Sequence, residues 1–478
     1  MNDIAVQPNL FDRTMDQVRR ALREIVTRRG MTTLDLKPDL PESDQERLLS
    51  QMRDCLNGRG GQVTARARAA NLGRAYIGLN DDGKRRFLLL MATRFDTDHG
   101  AVNAAISKVT AAETAEERKS AEAALRDTLI PPRTRLLRQF NGLEGGVKFL
   151  VDLRAELLGW SRGEAALTDL QEDLRRLLES WFDVGFLELR QITWEAPAAL
   201  LEKLIAYEAV HEIKDWTDLK NRLDSDRRCF AFFHPRMPDE PLIFVEIALV
   251  NGIADNVQHL LDQDQAQLEP ENADTAIFYS ISNAQRGLDG IGFGDFLIKQ
   301  VVSELSSEFK NLKTFATLSP IPGFARWYEK ERDELGEALL LPDERTALEG
   351  ALDGESSIDD FLKGLLSNPD WTKVPELEQA LKPILNRLAA TYLYAAKRGG
   401  IRALDPVAHF HLSNGARMER LNWLADTSAR GMRQSAGMMI NYVYKLDEID
   451  GNHEGYKGEG TIAVSTAIRN LSRKTGAG

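Results

Sequence analysis

Cysteine is nearly absent from this sequence: Cys55 and Cys229 are the only two in 478 residues. Two thiols so far apart cannot make a disulfide framework or a four-thiolate zinc site, so they read as ordinary thiols in a reducing cytoplasm. Histidine is scarce too, with seven in the chain. Neither His-Glu-x-x-His nor Cys-x-x-Cys occurs, which leaves no motif for a metal centre. Positive charge is also in deficit. Lys and Arg total 61 against 73 Asp and Glu, a formal net charge of -12. That balance argues against nucleic acid as a partner, because phosphate neutralisation needs a cationic surface. An anionic membrane surface would repel the chain as well. Long apolar runs are missing: Phe87–Ala92 and Leu242–Val250 fall far short of the ~20 residues a spanning helix needs. The N-terminal stretch reads as a charged amphipathic helix over Leu10–Arg29, and Asp3, Asp12, Asp16 and Glu24 speak against a transit peptide. The last residues, Lys474–Gly478, are not a peroxisomal tripeptide signal. A cytoplasmic protein is expected.

What is present organises the chain into a multidomain α and α+β protein. Residues 1–188 read as an all-α helical bundle, a structural or oligomerisation domain, by their 3.6-residue period. Four spacings in it fit a capping box: Ser43 with Glu46, Thr114 with Glu117, Ser161 with Glu164, and Thr168 with Gln171. Gly58–Gly61, Pro131-Pro132 and Gly142–Gly146 punctuate it as turns. Residues 189–478 read as an α/β domain. Its expected strands are Cys229–His234, Leu242–Leu249, Thr275–Ser282 and Lys313–Ser319, with the turn-rich link Pro235–Pro241 between the first two. A helix from Phe296 to Phe309 joins the third strand to the fourth, which makes those two parallel. Residues 331–402 form a helical insertion broken at Pro342, Pro369 and Pro375. Strands are expected to return at Val407–Leu412 and Asn441–Leu446.

Chemistry concentrates in the second half. Between the third strand and its helix lies a loop with glycines at 287, 290, 292 and 294. Such a loop lets main chain approach a ligand closely and leads into a helix end that favours an anion. It lacks the Walker lysine-serine ending and the acidic partner of a dinucleotide site. A pyrophosphate held by main-chain NH groups, as in acyl-CoA sites, is one reading; a turn packed tightly on its helix is the other. Asp289 and Asp295 count against a phosphate, and Asp295 also suits a helix N-cap. Ser319 precedes Pro320, is held extended by it, and ends a strand where ligands gather in open sheets. The pair His409 and His411 would share one face of the expected strand, half of a metal site at most.

These residues resemble the malonyl-CoA decarboxylase family. The resemblance is carried by Tyr207–His211, Phe278–Ser282, the glycine loop, Thr317–Phe324, Phe410–Ala416, Asn422–Asp426 and Asn441–Tyr444. It implies an N-terminal helical domain for oligomer contacts, in a homotetramer built as a dimer of dimers. It also implies a catalytic domain with the N-acetyltransferase-like acyl-CoA-binding fold and a role in fatty acid metabolism. The implied catalytic residues are Ser319 and His411. Malonyl-CoA would be bound by Asp289, Gly290, Ile291, Gly292, Phe293, Gly294 and Asp295, with Tyr444 orienting the acyl group. Animal members carry a glutamate where this chain has Gly292. The implied reaction, malonyl-CoA to acetyl-CoA and carbon dioxide, needs no metal, biotin or pyridoxal cofactor because the thioester stabilises the carbanion. An acyl-CoA-dependent N-acyltransferase and a non-catalytic malonyl-CoA sensor are the competing functions, since fold alone does not fix chemistry.

Overall fold

A computed structural model describes residues 34–57, 61–292, 294–354 and 356–473, with main chain only at 61–63 and 294–296. The helix expected over Leu10–Arg29, the turn at 58–60, Phe293, the capping role of the Asp295 side chain and the tail at 474–478 lie outside the described residues. The chain divides into two compact units. One holds residues 1–188, 233–242 and 283–293; the other holds 189–232, 243–282 and 294–478.

The first unit is helical up to Trp181, through Glu42–Leu56, Gly61–Ile77, Asp81–Arg94, His99–Ala111, Ala115–Thr128, Pro132–Gln139, Gly146–Trp160 and Ala165–Trp181. The last of these shows the logic. Leu167, Leu170, Leu174, Leu177 and Leu178 recur at helical spacing and are all buried, each contributing about 2 kcal/mol by leaving water. Aromatic rings lock the neighbouring helices, with Tyr76 edge-on to Phe87 at 5.1 Å and Phe140 stacked on Phe149 at 4.9 Å. Of the four expected capping boxes, the one at Thr114 and Glu117 forms. Ser43 falls inside a helix that starts at Glu42 behind Pro41. Ser161 closes the preceding helix, and Thr168 lies within the next one. The same three-residue spacing occurs along any polar helix face, so the pattern alone does not locate a helix start.

The sheet runs in the order β1-β2-β3-β4-β5-β10-β6, with β9 also pairing to β10. These strands are β1 (Glu188–Ile192), β2 (Arg227–His234), β3 (Met237–Val250), β4 (Thr275–Asn283), β5 (Thr314–Thr317), β6 (Ser319–Pro320), β9 (Arg417–Asn422) and β10 (Met439–Tyr444). A separate pair, β7 (Lys397–Arg398) and β8 (Arg402–Ala403), forms a small hairpin. The link expected over Pro235–Pro241 is a two-residue turn at 235 and 236, and β3 begins at Met237. β4 and β5 are parallel, Thr275 facing Thr314, with the helix Gly294–Glu308 as their crossover. Pro342 and Pro375 each open a helix, as proline at the first helical position should.

One expected strand is a helix. Val407–Leu412 lies within the helix Pro406–Ser413. Asp405 accepts from the N–H groups of Val407 and Ala408, both at 2.9 Å, while Pro406 takes the first helical position. An Asp-Pro start signal thus overrides the short β-like run behind it. His409 and His411 therefore do not share a face.

The one capping box gives a direct check. Thr114→Ala should lower unfolding free energy by about 1 kcal/mol in urea titration. Ser43→Ala, at an exposed position without a cap, should change it by less than about 0.5 kcal/mol.

Candidate active site

The site begins where the β5 ladder is interrupted. β10 pairs antiparallel with β5 through Val443–Ala316 and Tyr444–Phe315, and with β6 through Met439–Pro320 and Ile440–Ser319. Between these two stretches side chains replace the ladder. Tyr442 N–H donates to Thr317 Oγ1 at 3.2 Å, and Asn441 Nδ2 donates to the Thr317 carbonyl at 2.8 Å. Asn441 Oδ1 in turn accepts from Asn422 Nδ2 at 2.8 Å. This sets Ser319, buried at 5% exposure, at a fixed register opposite Ile440.

The helix Pro406–Ser413 brings His411 to that serine. Ser319 Oγ lies 3.1 Å from His411 Nε2, and Tyr444 Oη lies 2.8 Å from His411 Nδ1. The imidazole is fully buried among aromatic groups, stacked on Tyr442 with centroids 4.4 Å apart. Burial drives it neutral, pulling its pKa down to about 3. Ser319 Oγ donates to Thr317 Oγ1 at 2.8 Å. With that proton committed, the contact to His411 requires Nε2 to carry the N–H, and Nδ1 to accept from the Tyr444 hydroxyl. The row thus runs Tyr444, His411, Ser319, Thr317, with every proton pointing the same way. Beside it the Tyr442 hydroxyl is buried and has no partner among the described residues.

Asp405 holds the two halves of the row together. One carboxylate oxygen caps the His411 helix; the other accepts from Tyr392 Oη at 3.0 Å and from Gly323 N–H at 3.2 Å, just beyond Ser319-Pro-Ile-Pro. Gly323 is needed for closeness: a Cβ there would sit 1.9 Å from Tyr392 Oη. Sequence reasoning passed over Asp405, Tyr392 and Thr317. The Asp405-Pro406 pair was the available signal for the first; nothing local marked the other two.

The glycine loop is shaped within the first unit. Arg154 donates to the carbonyls of Gly287 at 2.6 Å and Asp289 at 2.9 Å. Gly287 presses on the Val151 carbonyl, where a Cβ would come to 1.8 Å. Asp289 accepts from Asn283 Nδ2 at 2.9 Å, and burial raises its carboxyl pKa. Gly290 has φ +79°, Ile291 is buried, and Gly292 is exposed, where an added Cβ would meet nothing within 4 Å among the described residues. Gly294 and Asp295 belong to the first turn of the following helix. Arg154 was illegible in sequence, being one arginine among many on amphipathic helices. Among the described residues no group of three or more His, Cys, Asp or Glu side chains is placed to hold a metal ion.

A family model described as the malonyl-CoA decarboxylase C-terminal domain matches residues 185–477, and one for the N-terminal domain matches 95–182. The chain belongs to the malonyl-CoA decarboxylase family. The mitochondrial malonyl-CoA decarboxylase of Anser anser anser is 38% identical over 472 residues, covering 94% of this chain and 93% of that protein. The Rattus norvegicus enzyme is 40% identical over 420 residues, 83% of each chain. A crystal structure of malonyl-CoA decarboxylase from Rhodopseudomonas palustris superposes with TM-score 0.81 at 43% identity, covering 89% of this chain and 99% of that one. The Agrobacterium vitis structure gives TM-score 0.80 at 41% identity, covering 90% and 100%.

Within this malonyl-CoA decarboxylase family member, Asp405 makes a stability prediction. Asp405→Ala removes a helix cap and strands the Tyr392 and Gly323 donors, which should cost about 3 kcal/mol in urea titration. Asp405→Asn keeps one acceptor oxygen and should cost less.

Proposed function

We propose that this protein decarboxylates malonyl-CoA to acetyl-CoA and carbon dioxide. The observation that carries the reading is the hydrogen-bonded row Tyr444–His411–Ser319, buried in a chain of this family. When the bond to the carboxylate breaks, its electron pair moves through the α-carbon onto the thioester oxygen, leaving an enolate. The α-carbon then needs a proton, and the enolate oxygen needs hydrogen-bond donors. A neutral imidazole with Nε2–H can supply that proton, directly or through Ser319, while Tyr444 moves its own proton to Nδ1. Transfer of this kind avoids an imidazolate: the charge of the enolate passes to the Tyr444 oxygen, which takes a proton back from water before the next turnover. The unpartnered Tyr442 hydroxyl is a donor available for the thioester oxygen, where one well-placed hydrogen bond is worth ~3 kcal/mol. The thioester is its own electron sink, so the residues present suffice.

In this reading the main chain from Asp289 to Asp295 holds the CoA pyrophosphate, in the manner of the N-acetyltransferase-like fold. Solution as a homotetramer in the cytoplasm, and a place in fatty acid metabolism, complete the proposal.

The test is incubation with malonyl-CoA and mass analysis of products, with and without an added amine. Acetyl-CoA and carbon dioxide should form without amine. Ser319→Ala and His411→Asn should each lower kcat by at least about a hundredfold, and Tyr444→Phe by less. Near-normal turnover in His411→Asn, or acylated amine as the product, would contradict the proposal.

A further inference from the structure

The helix Pro406–Ser413 carries a second histidine that the row does not use. His409 lies two residues before His411, so the helix turns it roughly 200° away. Its Nδ1 lies 2.8 Å from the Tyr456 hydroxyl, and that oxygen accepts from Ala403 N–H at 2.9 Å. His409 thereby faces a cleft of about 560 Å³ lined also by Arg398, Arg402, Lys457, Ile401 and Leu404. A volume of this size suits a small molecule. Among the described residues no Asp or Glu lines it.

The two arginines make the cleft unusual. Arg398 and Arg402 are direct cross-strand partners in the β7–β8 hairpin, turned at Gly399 and Gly400. Like charges placed opposite one another weaken a two-stranded ribbon, which has little stability to spare. Among the described residues neither arginine forms an ion pair with a carboxylate. An anion between them would turn the repulsion into a clamp, because paired guanidinium forks match phosphate oxygens in both charge and geometry. Ile401 and Leu404, exposed at 53% and 38%, offer apolar contact to an organic body beside the charge.

We infer that this cleft binds an organic phosphate, its phosphate groups held by Arg398 and Arg402. Two sources carry that chemistry: the phosphates of the thioester substrate itself, which rests on the function proposed above, and a separate organic phosphate. The first test does not depend on turnover. Isothermal titration of the full chain with inorganic pyrophosphate should show saturable binding. Arg398→Glu combined with Arg402→Glu should weaken that binding at least tenfold or remove one equivalent of it. Arg433→Glu, an exposed charge reversal on another helix, should leave it unchanged. Arg398→Gln with Arg402→Gln provides the same comparison should the charge reversal unfold the hairpin. Kinetics then separate the sources. A KM rise for malonyl-CoA but not for malonyl-pantetheine assigns the cleft to the substrate's phosphates; unchanged KM for both assigns it to a separate organic phosphate. Absence of saturable pyrophosphate binding, or binding in the double variants equal to that of the unsubstituted chain, overturns the inference while leaving the decarboxylase reading intact.

Discussion

The buried carboxylate of Asp405 is the contact on which the hydrogen-bonded row Tyr444–His411–Ser319 depends. It caps one helix, accepts from one tyrosine and grips the main chain at Gly323. These three duties fix the element that carries His411 against the segment that carries Ser319, although 92 residues separate the two side chains. Burial raises the pKa of this carboxyl, while hydrogen bonds from Ala408, Gly323, Tyr392 and Val407 pull the other way. An acceptor so fully used cannot be exchanged for an apolar group without leaving donors stranded. Tyr392, near the end of the helical stretch before the β7–β8 hairpin, enters the site through this same contact.

The strand skeleton was readable because its signals are local. β-branched and aromatic runs mark β2, β4 and β10, and the strand–helix–strand unit from Thr275 to Thr317 follows from period and length alone. The His409-Phe-His411 segment was misread because six apolar-rich residues fit a strand as well as a helix turn; the Asp-Pro pair before them decided the matter. Three of the four capping spacings failed for the opposite reason, since three-residue polar pairs are common inside helices. Family motifs pointed to Ser319, His411 and Tyr444, yet the distances that make a row of them arise from pairing of β10 with β6 and from Asp405. Those are long-range contacts, and no window of sequence displays them. Arg154, which shapes the glycine loop through two carbonyls, belongs to the same class.

Charge deserves separate thought in an acidic protein with an anionic substrate class in its family. The net balance argues against polyanions, but it is an average over a large surface. Local features act against it: a helix start after the glycine loop and the cationic cleft beside His409. The row through His411 itself carries no formal charge. Its histidine is kept neutral by burial, and its polarity comes from the order in which hydroxyl and imidazole protons are aligned. That order is set by Thr317, which takes the Ser319 proton and leaves His411 to donate.

The alignment can be observed directly by ¹⁵N NMR of histidine-labelled protein. The account predicts that His411 stays neutral between pH 8 and pH 5, with Nε2 protonated and Nδ1 showing the shift of an unprotonated acceptor. In the Tyr444→Phe variant the Nδ1 signal should move as its donor is lost. A resonance showing Nδ1–H with bare Nε2, or an imidazolium titrating near 6.5, would contradict a row in which His411 donates toward Ser319.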